Sequence, residues 1–135
     1  MFAERIHSTV TQRDGTVHGS LVNAGVLSDP ITDLPVLGFV TAGSALKLKL
    51  LRRSRRATVV LRAGWEWVAV EGPVTLLGPD DLPDGFDASQ VAPLLRDVFT
   101  AAGGTHDDWD VYDRVMADER RVAVLVHPAR ISSNG

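Results

Sequence analysis

Apolar and polar positions alternate along much of the chain, and this pattern predicts mainly β-structure. Period-two alternation with β-branched residues, interrupted by Gly and Pro, is typical of strands. The stretches that fit it are residues 5–12, 16–26, 36–41, 57–62, 65–77 and 121–126. Arg13-Asp14-Gly15 is expected to turn the first two stretches into a hairpin, and Gly72-Pro73 to mark a bulge or an edge within the longest one.

Two later segments carry the spacing of amphipathic helices. Leu94 and Val98 lie one helical turn apart within residues 88–102, and Trp109 and Tyr112 do so within residues 106–118. Gly103-Gly104 is expected to end the first helix, and Thr105 is a candidate cap for the second. The final residues, 132–135, are expected to be frayed.

Residues 45–54 fit two patterns. Leu46 to Leu50 alternate as in a strand, whereas the abundance of Ala, Leu, Lys and Arg favours a helix, for which Ser44 is a candidate N-cap. We expect a helix. The chain is therefore predicted to form one domain over residues 1–135, a small β-barrel of six to seven antiparallel strands with about three appended helices.

Bulk properties narrow the class of protein. The 135 residues fit one domain, and no apolar run reaches the length that spans a bilayer. Cysteine is absent, which excludes disulfides, thiol catalysis and Cys-ligated metals. The N-terminus has no charged-then-apolar signal pattern, so a cytoplasmic location is expected.

Charge is distributed unevenly. The chain carries a net charge of −3, yet six Lys and Arg residues lie between positions 47 and 56 without an acidic residue among them. Such a cluster indicates either an anion-binding site or a solvated basic helix face. Lys47, two residues into the expected helix, is a candidate ligand for phosphate, and Thr41 is a candidate hydroxyl donor to the same group.

The sequence gives few indications of metal binding or catalysis. No two of the four His residues lie within four positions of each other, so no metal site is predicted. The chain has no Gly-x-Ser-x-Gly, Gly-x-Gly-x-x-Gly or Walker motif, and no catalytic residue is identified. Trp65 and Trp67 are expected on one strand face, in the core or an interface, with a cofactor wall as the alternative.

Four segments, in order, resemble a known family. Asp14-Gly15-Thr16-Val17-His18-Gly19-Ser20-Leu21-Val22 is similar to a "DGxPHxxPV" hairpin, and Thr41 with Lys47 and Leu51-Arg52-Arg53 to a "T-x5-K-x-x-N-L-R-R" segment. Trp67 to Gly72 is similar to a "V-x-V-x-G" strand, and Arg121 to Arg130 to a closing "R-V-x-x-x-x-x-P-x-R" strand. The order resembles the pyridoxamine-phosphate-oxidase-like split β-barrel flavoproteins, which include deazaflavin-dependent actinobacterial members.

The resemblance implies a fold, a cofactor and a partner. It implies an FMN-binding-protein-like split barrel that forms a homodimer with cofactor sites at the interface, binding either FMN or the deazaflavin coenzyme F-420. Thr41 and Lys47 would hold the cofactor phosphate. The residues implied near the ring or along the cofactor's negative tail are His18, Ser20, Val40, Ala42, Lys49, Leu50, Arg52 and Arg53.

Three departures from the family pattern remove polar ligands. Leu50 replaces the usual Asn, Ala45-Leu46 replaces a Ser-Arg pair, and Val17 replaces a Pro. These departures count against a pyridoxamine phosphate oxidase itself.

The leading hypothesis is an oxidoreductase that transfers hydride to a small organic substrate, because in such enzymes the cofactor carries the reaction. The alternatives are a cofactor carrier without turnover and a small nucleic-acid-binding barrel, with nucleic acid ranked last because the chain is acidic and the basic cluster lacks aromatic residues.

Overall fold

The computed structural model describes residues 5–11, as backbone, and residues 16–135. Within them the chain forms eight strands, three α-helices and a short 3₁₀ turn at Ala88–Gln90. The strands are β1 (Arg5–Thr11), β2 (Val17–Leu21), β3 (Ala24–Ser28), β4 (Pro35–Thr41), β5 (Arg56–Ala63), β6 (Glu66–Leu77), β7 (Val122–Val126) and β8 (Arg130–Ser133). The helices are α1 (Leu46–Ser54), α2 (Val91–Ala101) and α3 (Trp109–Asp118). The predicted turn at residues 13–15 lies outside the described residues.

The strands form one antiparallel sheet that closes on itself with a seam. Their order is β2-β1-β5-β6-β7-β4-β3, and β8 also pairs with β6. The end strands β2 and β3 are joined by only Val22-Asn23, so the two ends of the sheet lie close together. The mainly-β, split-barrel prediction is confirmed.

Strand β6 belongs to both halves of the barrel. Its residues 66–73 pair with β5, and its residues 74–77 pair with β7. Of the two alternatives predicted at Gly72-Pro73, the bulge is wrong, because the register with β5 runs unbroken up to Pro73, where the pairing with β5 ends. The backbone N–H of His127 donates to the Pro73 carbonyl at 2.9 Å, and a Cβ at Gly72 would collide with the His127 carbonyl oxygen. Glycine is therefore required where the strand changes partner.

Three element predictions needed correction. Residues 16–26 form two strands, because the chain leaves β1 and joins β4 after Val22-Asn23. The tail is ordered over Arg130–Ser133, where β8 pairs with β6 and raises the strand number to eight. Helix α3 begins at Trp109 with Asp108, and not Thr105, as its N-cap; the Asp108 carboxylate accepts the Val111 N–H at 3.2 Å.

Two apolar cores lie on opposite sides of the sheet. The first fills the barrel, and α1 closes it with the fully buried side chains of Leu48 and Leu51. The second lies between the outer surface of the sheet and the helices α2 and α3, where Leu95 and Leu125 are buried. Alternate residues of β4 therefore point into different cores, and the candidate site residues of that strand, Val40 and Thr41, lie on opposite faces.

Candidate functional site

The turn between β4 and α1 is held by close backbone contacts. The N–H of Gly43 donates to the carbonyl of Glu119 at 3.0 Å, and a Cβ at Gly43 would lie 2.7 Å from the carbonyl oxygen of Arg120. Only glycine fits this approach. Helix α1 then begins after Ala45, which makes no side-chain capping bond, so the expected role of Ser44 as N-cap is wrong.

Lys47 is held in a half-buried position with no acidic partner. Its Nζ atom lies 5.7 Å from the centroid of the Phe39 ring, and Phe39 is fully buried in the barrel core. Burial lowers the pKa of Lys47, and the positive charge of Arg121 lowers it further. Among the residues that the structure describes, no carboxylate forms an ion pair with Lys47. A half-buried cation without a counter-charge favours an anion beside it.

Thr41 adds a hydroxyl on the same face of β4 as Phe39. The side chain is 3% exposed, and the backbone lies opposite Val122 of β7. Its hydroxyl makes no hydrogen bond within residues 16–135. The structure therefore brings Thr41 and Lys47 to the same side of β4, as the site prediction requires.

The two candidates on β2 face the barrel interior. Ser20 lies opposite Ser8, which lies opposite Val59 on β5, and Val59 points into the core. The Ser20 Oγ is buried and has no hydrogen-bond partner among the described side chains and backbone. His18 is half-buried on the same face of β2. A buried hydroxyl without a partner is costly, so Ser20 is a candidate donor to a bound group.

The rest of the basic segment is divided among different roles. Arg52 binds both carboxylate oxygens of Asp81, at 3.1 and 2.7 Å, so its guanidinium is already paired. Leu50 is 7% exposed in the barrel core, which leaves only its backbone for a ligand. Lys49 and Arg53 are exposed.

The last two candidates point away from Lys47. Val40 packs in the outer core with α2, on the face of β4 opposite to Thr41. Ala42 lines a shallow pocket whose charged neighbours include Asp80, Asp118 and Glu119. These carboxylates make that pocket unfavourable for a phosphate.

The tryptophan prediction is only partly right. Trp65 lies in the turn before β6 and is 90% exposed, while Trp67 on β6 is 38% exposed. A core position is wrong for both. An interface position stays a prediction.

Arg121 is a further candidate for the site, and it is not among the residues selected from the sequence. Its charge lowers the pKa of Lys47, and it also opposes the rise that burial causes in the pKa of Tyr112. The guanidinium therefore lies within electrostatic range of both groups. It precedes β7, and pairing of Thr41 with Val122 brings it beside the end of β4. The sequence signal that could have identified Arg121 is its position directly before an apolar strand.

These features define a split β-barrel with a cationic site beside the β4–α1 turn. No known protein-family profile matches the chain. Among solved structures, it is similar to a pyridoxamine 5'-phosphate oxidase-related, FMN-binding protein from Nostoc punctiforme, at 16% identity and a TM-score of 0.67 over 98% of this chain and 74% of that one. It is also similar to an F420 reductase, at 15% identity and a TM-score of 0.62 over 95% of this chain and 88% of that one.

A third similar structure has a different ligand in its name. HutZ, the heme storage protein from Vibrio cholerae, is 8% identical with a TM-score of 0.61, over 96% of this chain and 85% of that one. At these identities the likeness establishes the fold. The chain has the split β-barrel fold of the pyridoxamine 5'-phosphate oxidase-like proteins, which confirms the resemblance at the level of fold.

One curated protein shares a local stretch of sequence. The ribosomal RNA large subunit methyltransferase K/L of Allochromatium vinosum is 35% identical over 89 residues, which is 62% of this chain. The matched stretch is 12% of that protein, so this chain spans about an eighth of its length.

Within the described residues, no helix is long and apolar enough to cross a bilayer.

Proposed function

We propose that this protein is a flavin- or deazaflavin-dependent oxidoreductase that uses FMN or coenzyme F-420 to transfer hydride to a small organic substrate in the cytoplasm. The observation that carries the proposal is Lys47, a half-buried ammonium group with no acidic partner among the described residues. Similarity of fold to an FMN-binding protein and an F420 reductase supports this choice of cofactor.

The side chains around Lys47 fit the anionic end of either cofactor. FMN and F-420 each carry a phosphate group, which an ammonium ion can bind as a point charge. The hydroxyl of Thr41 donates a second hydrogen bond to the same group, and the phosphate supplies the counter-charge that Lys47 lacks. Arg121 adds positive potential, while Glu119 holds its guanidinium at 2.7 Å.

The described residues position the cofactor and bind it. When bound, the flavin or deazaflavin ring supplies the hydride chemistry, so the protein needs no acid–base pair of its own. Ser20 offers a buried hydroxyl on β2 that has no partner in the described part of the chain, and His18 lies on the same face of that strand. We assign both residues to the ring end of the site as part of the proposal.

The proposal includes a homodimer with the cofactor sites at its interface. The strand register places Val17, Leu21 and Trp67 on the outer face of the β2-β1-β5-β6 part of the sheet. These side chains are 61%, 66% and 38% exposed, respectively. Large exposed apolar side chains that share one sheet face are typical of an interaction surface, which supports a second copy of the chain there.

A cofactor carrier without turnover is the second candidate function. In the described structure the Phe39 ring lies 5.7 Å from the Lys47 Nζ and the charge of Arg121 acts on it, and neither group is a general acid or base. Such a site binds and retains a cofactor without assisting proton transfer to a substrate.

Titration of the purified protein with FMN and with F-420, each oxidised and reduced, tests the proposal. Cofactor fluorescence reports binding, and we expect one cofactor to bind in the micromolar range. Failure of both to bind at tens of micromolar would reject both candidate functions. Binding without reduction of quinones or nitroaromatics would reject the oxidoreductase and favour the carrier.

A further inference from the structure

A cavity lies outside the barrel, between β4 and the helices α2 and α3. Its volume is about 210 Å³, and its apolar walls include Val40, Phe99, Tyr112 and Met116. Arg121 is the charged residue that lines it. Because Val40 and Thr41 point to opposite faces of β4, this cavity is distinct from the site around Thr41.

The aromatic wall of the cavity is rigidly held. The ring centroids of Phe99 and Tyr112 are 5.0 Å apart, and Trp109 lies 6.0 Å from Phe99 and 5.2 Å from Tyr112. The Tyr112 hydroxyl donates to the Leu95 carbonyl at 3.0 Å, which satisfies its polar end inside the apolar core. An aromatic wall fixed in this way needs little rearrangement to accept a ligand.

Arg121 supplies the polar end of the cavity and can exchange its partner. Its Nε and Nη2 atoms both bind one oxygen of Glu119, at 2.8 and 2.7 Å. The Glu119 side chain is 42% exposed, and an ion pair in such a position contributes little to stability. A ligand carboxylate can therefore replace Glu119 at small cost and gain a two-point contact with the planar guanidinium.

We propose that this cavity binds a small aromatic carboxylate, with its carboxylate on Arg121 and its ring against Phe99, Tyr112 and Met116. The planar, bidentate guanidinium favours a carboxylate, and the aromatic wall favours an aromatic body. The cavity volume admits a single ring. Arg121 is within electrostatic range of Lys47 as well, but the three ring contacts lie on the other side of β4, so the inference requires no bound cofactor.

Met116 sets the size limit of the ligand. A neighbouring cleft of about 320 Å³ is lined by both Met116 and Arg121, together with Val91, Leu95 and Asp113. The flexible Met116 side chain lies between the two spaces. Its replacement by alanine, Met116→Ala, joins them and makes room for a second fused ring beside the same guanidinium.

Calorimetric titration of the full chain with benzoate, without added cofactor, tests the inference. We expect benzoate to bind, benzyl alcohol to bind at least about tenfold more weakly, and Arg121→Gln to weaken benzoate by about tenfold or more. Arg120→Gln is the matched control, because Arg120 pairs with Asp80 and does not line this cavity. It is expected to change benzoate affinity less than about twofold.

A second variant acts in the opposite direction. Glu119→Gln frees the Arg121 guanidinium, so benzoate is expected to bind several-fold more tightly, and this substitution does not disturb the cavity wall. Equal affinities for benzoate and benzyl alcohol, equal losses in Arg121→Gln and Arg120→Gln, or no heat of binding at millimolar benzoate would each overturn the proposal. Tighter binding of 2-naphthoate to Met116→Ala than to the unaltered chain supports the assigned ring position, and unchanged binding overturns it.

Discussion

The two lysines of this protein lie two residues apart on α1 and occupy opposite environments. Lys47 is half-buried beside the Phe39 ring, with its pKa lowered by burial and by Arg121. Lys49 is exposed. The two residues are about 200° apart around the helix axis, so one faces the barrel and the other faces away. Two like charges in one basic cluster therefore differ in what they can bind.

The rest of the basic segment reinforces this difference. Arg52 is paired with Asp81, which leaves its charge neutralised, while Arg53 lies on the exposed side of the helix. A cluster of cations in a sequence is thus not one site. The proposed site is the cation that folding has half-buried and that has no carboxylate partner among the described residues.

Removal of core packing from the barrel side of α1 is expected to have the largest effect. Leu51 is fully buried whereas Leu46 is 52% exposed. Leu51→Ala is expected to lower the free energy of unfolding by about 3 kcal/mol, because it leaves a cavity in the barrel core. Leu46→Ala is the control, with an expected loss below about 1 kcal/mol. Urea denaturation measures both, and equal losses would contradict the assigned helix faces.

The pair Lys47→Gln and Lys49→Gln tests the functional half of the comparison. Loss of the ammonium group at position 47 is expected to weaken binding of FMN or F-420 by at least about tenfold, since it removes a charged contact to phosphate. The same change at position 49 is expected to cost less than about twofold at moderate salt, because exposed charges are screened. Similar losses in both variants would place the phosphate on the exposed face.

The Arg52–Asp81 pair is expected to have a smaller effect on stability. The two side chains are 34% and 11% exposed. Arg52→Ala is expected to lower the free energy of unfolding by about 1 kcal/mol, less at high salt, because it leaves a nearly buried carboxylate unpaired. Arg53→Ala, on the exposed side, is expected to change it by less than about 0.5 kcal/mol. Thermal or urea unfolding measures both variants, and equal stability of the two would contradict a stabilising role for the Arg52–Asp81 pair.

The pH dependence of stability is expected to show the smallest effect. The pKa of Lys47 is lowered in the folded protein from its ordinary value of 10.5. As pH rises through the interval between the lowered pKa and 10.5, the folded state loses this proton before the unfolded state does. The free energy of unfolding should therefore rise with pH in that interval. Lys47→Met removes this contribution. If the free energy of unfolding of this variant depends on pH in the same way as that of the unaltered chain, the lowered pKa of Lys47 is contradicted.

Much of the fold could be predicted from the sequence, because alternating apolar residues and helical spacing are local signals. The break between β2 and β3 could not, since Val22-Asn23 has no Gly or Pro and the strand changes partner only through tertiary pairing. Strand β8 was missed because a polar segment forms it, through backbone pairing with β6. Both features depend on which distant strand a segment pairs with, and local sequence patterns do not determine that pairing.

The arrangement of the candidate site residues could be predicted only in part, for the same reason. Lys47 and Thr41 followed from the spacing around the β4–α1 turn, and the structure places them on one side of the sheet. The environments of Leu50 and Arg52 depend on which face of α1 packs into the barrel, which spacing alone did not determine. Arg121 was missed because β4–β7 pairing brings it near from 74 positions along the chain (121 − 47).

NMR of the protein labelled with ¹³C at the lysine Cε atoms tests the central claim most directly, because the chain has only two lysines. Titration with pH gives the pKa of Lys47, with Lys49 as an internal reference, before and after saturation with the cofactor that binds. We expect the pKa of Lys47 to be below that of Lys49 in the free protein and to rise on binding, while that of Lys49 changes little. A pKa of Lys47 that is unchanged by the bound cofactor would contradict the assignment of Lys47 to the phosphate.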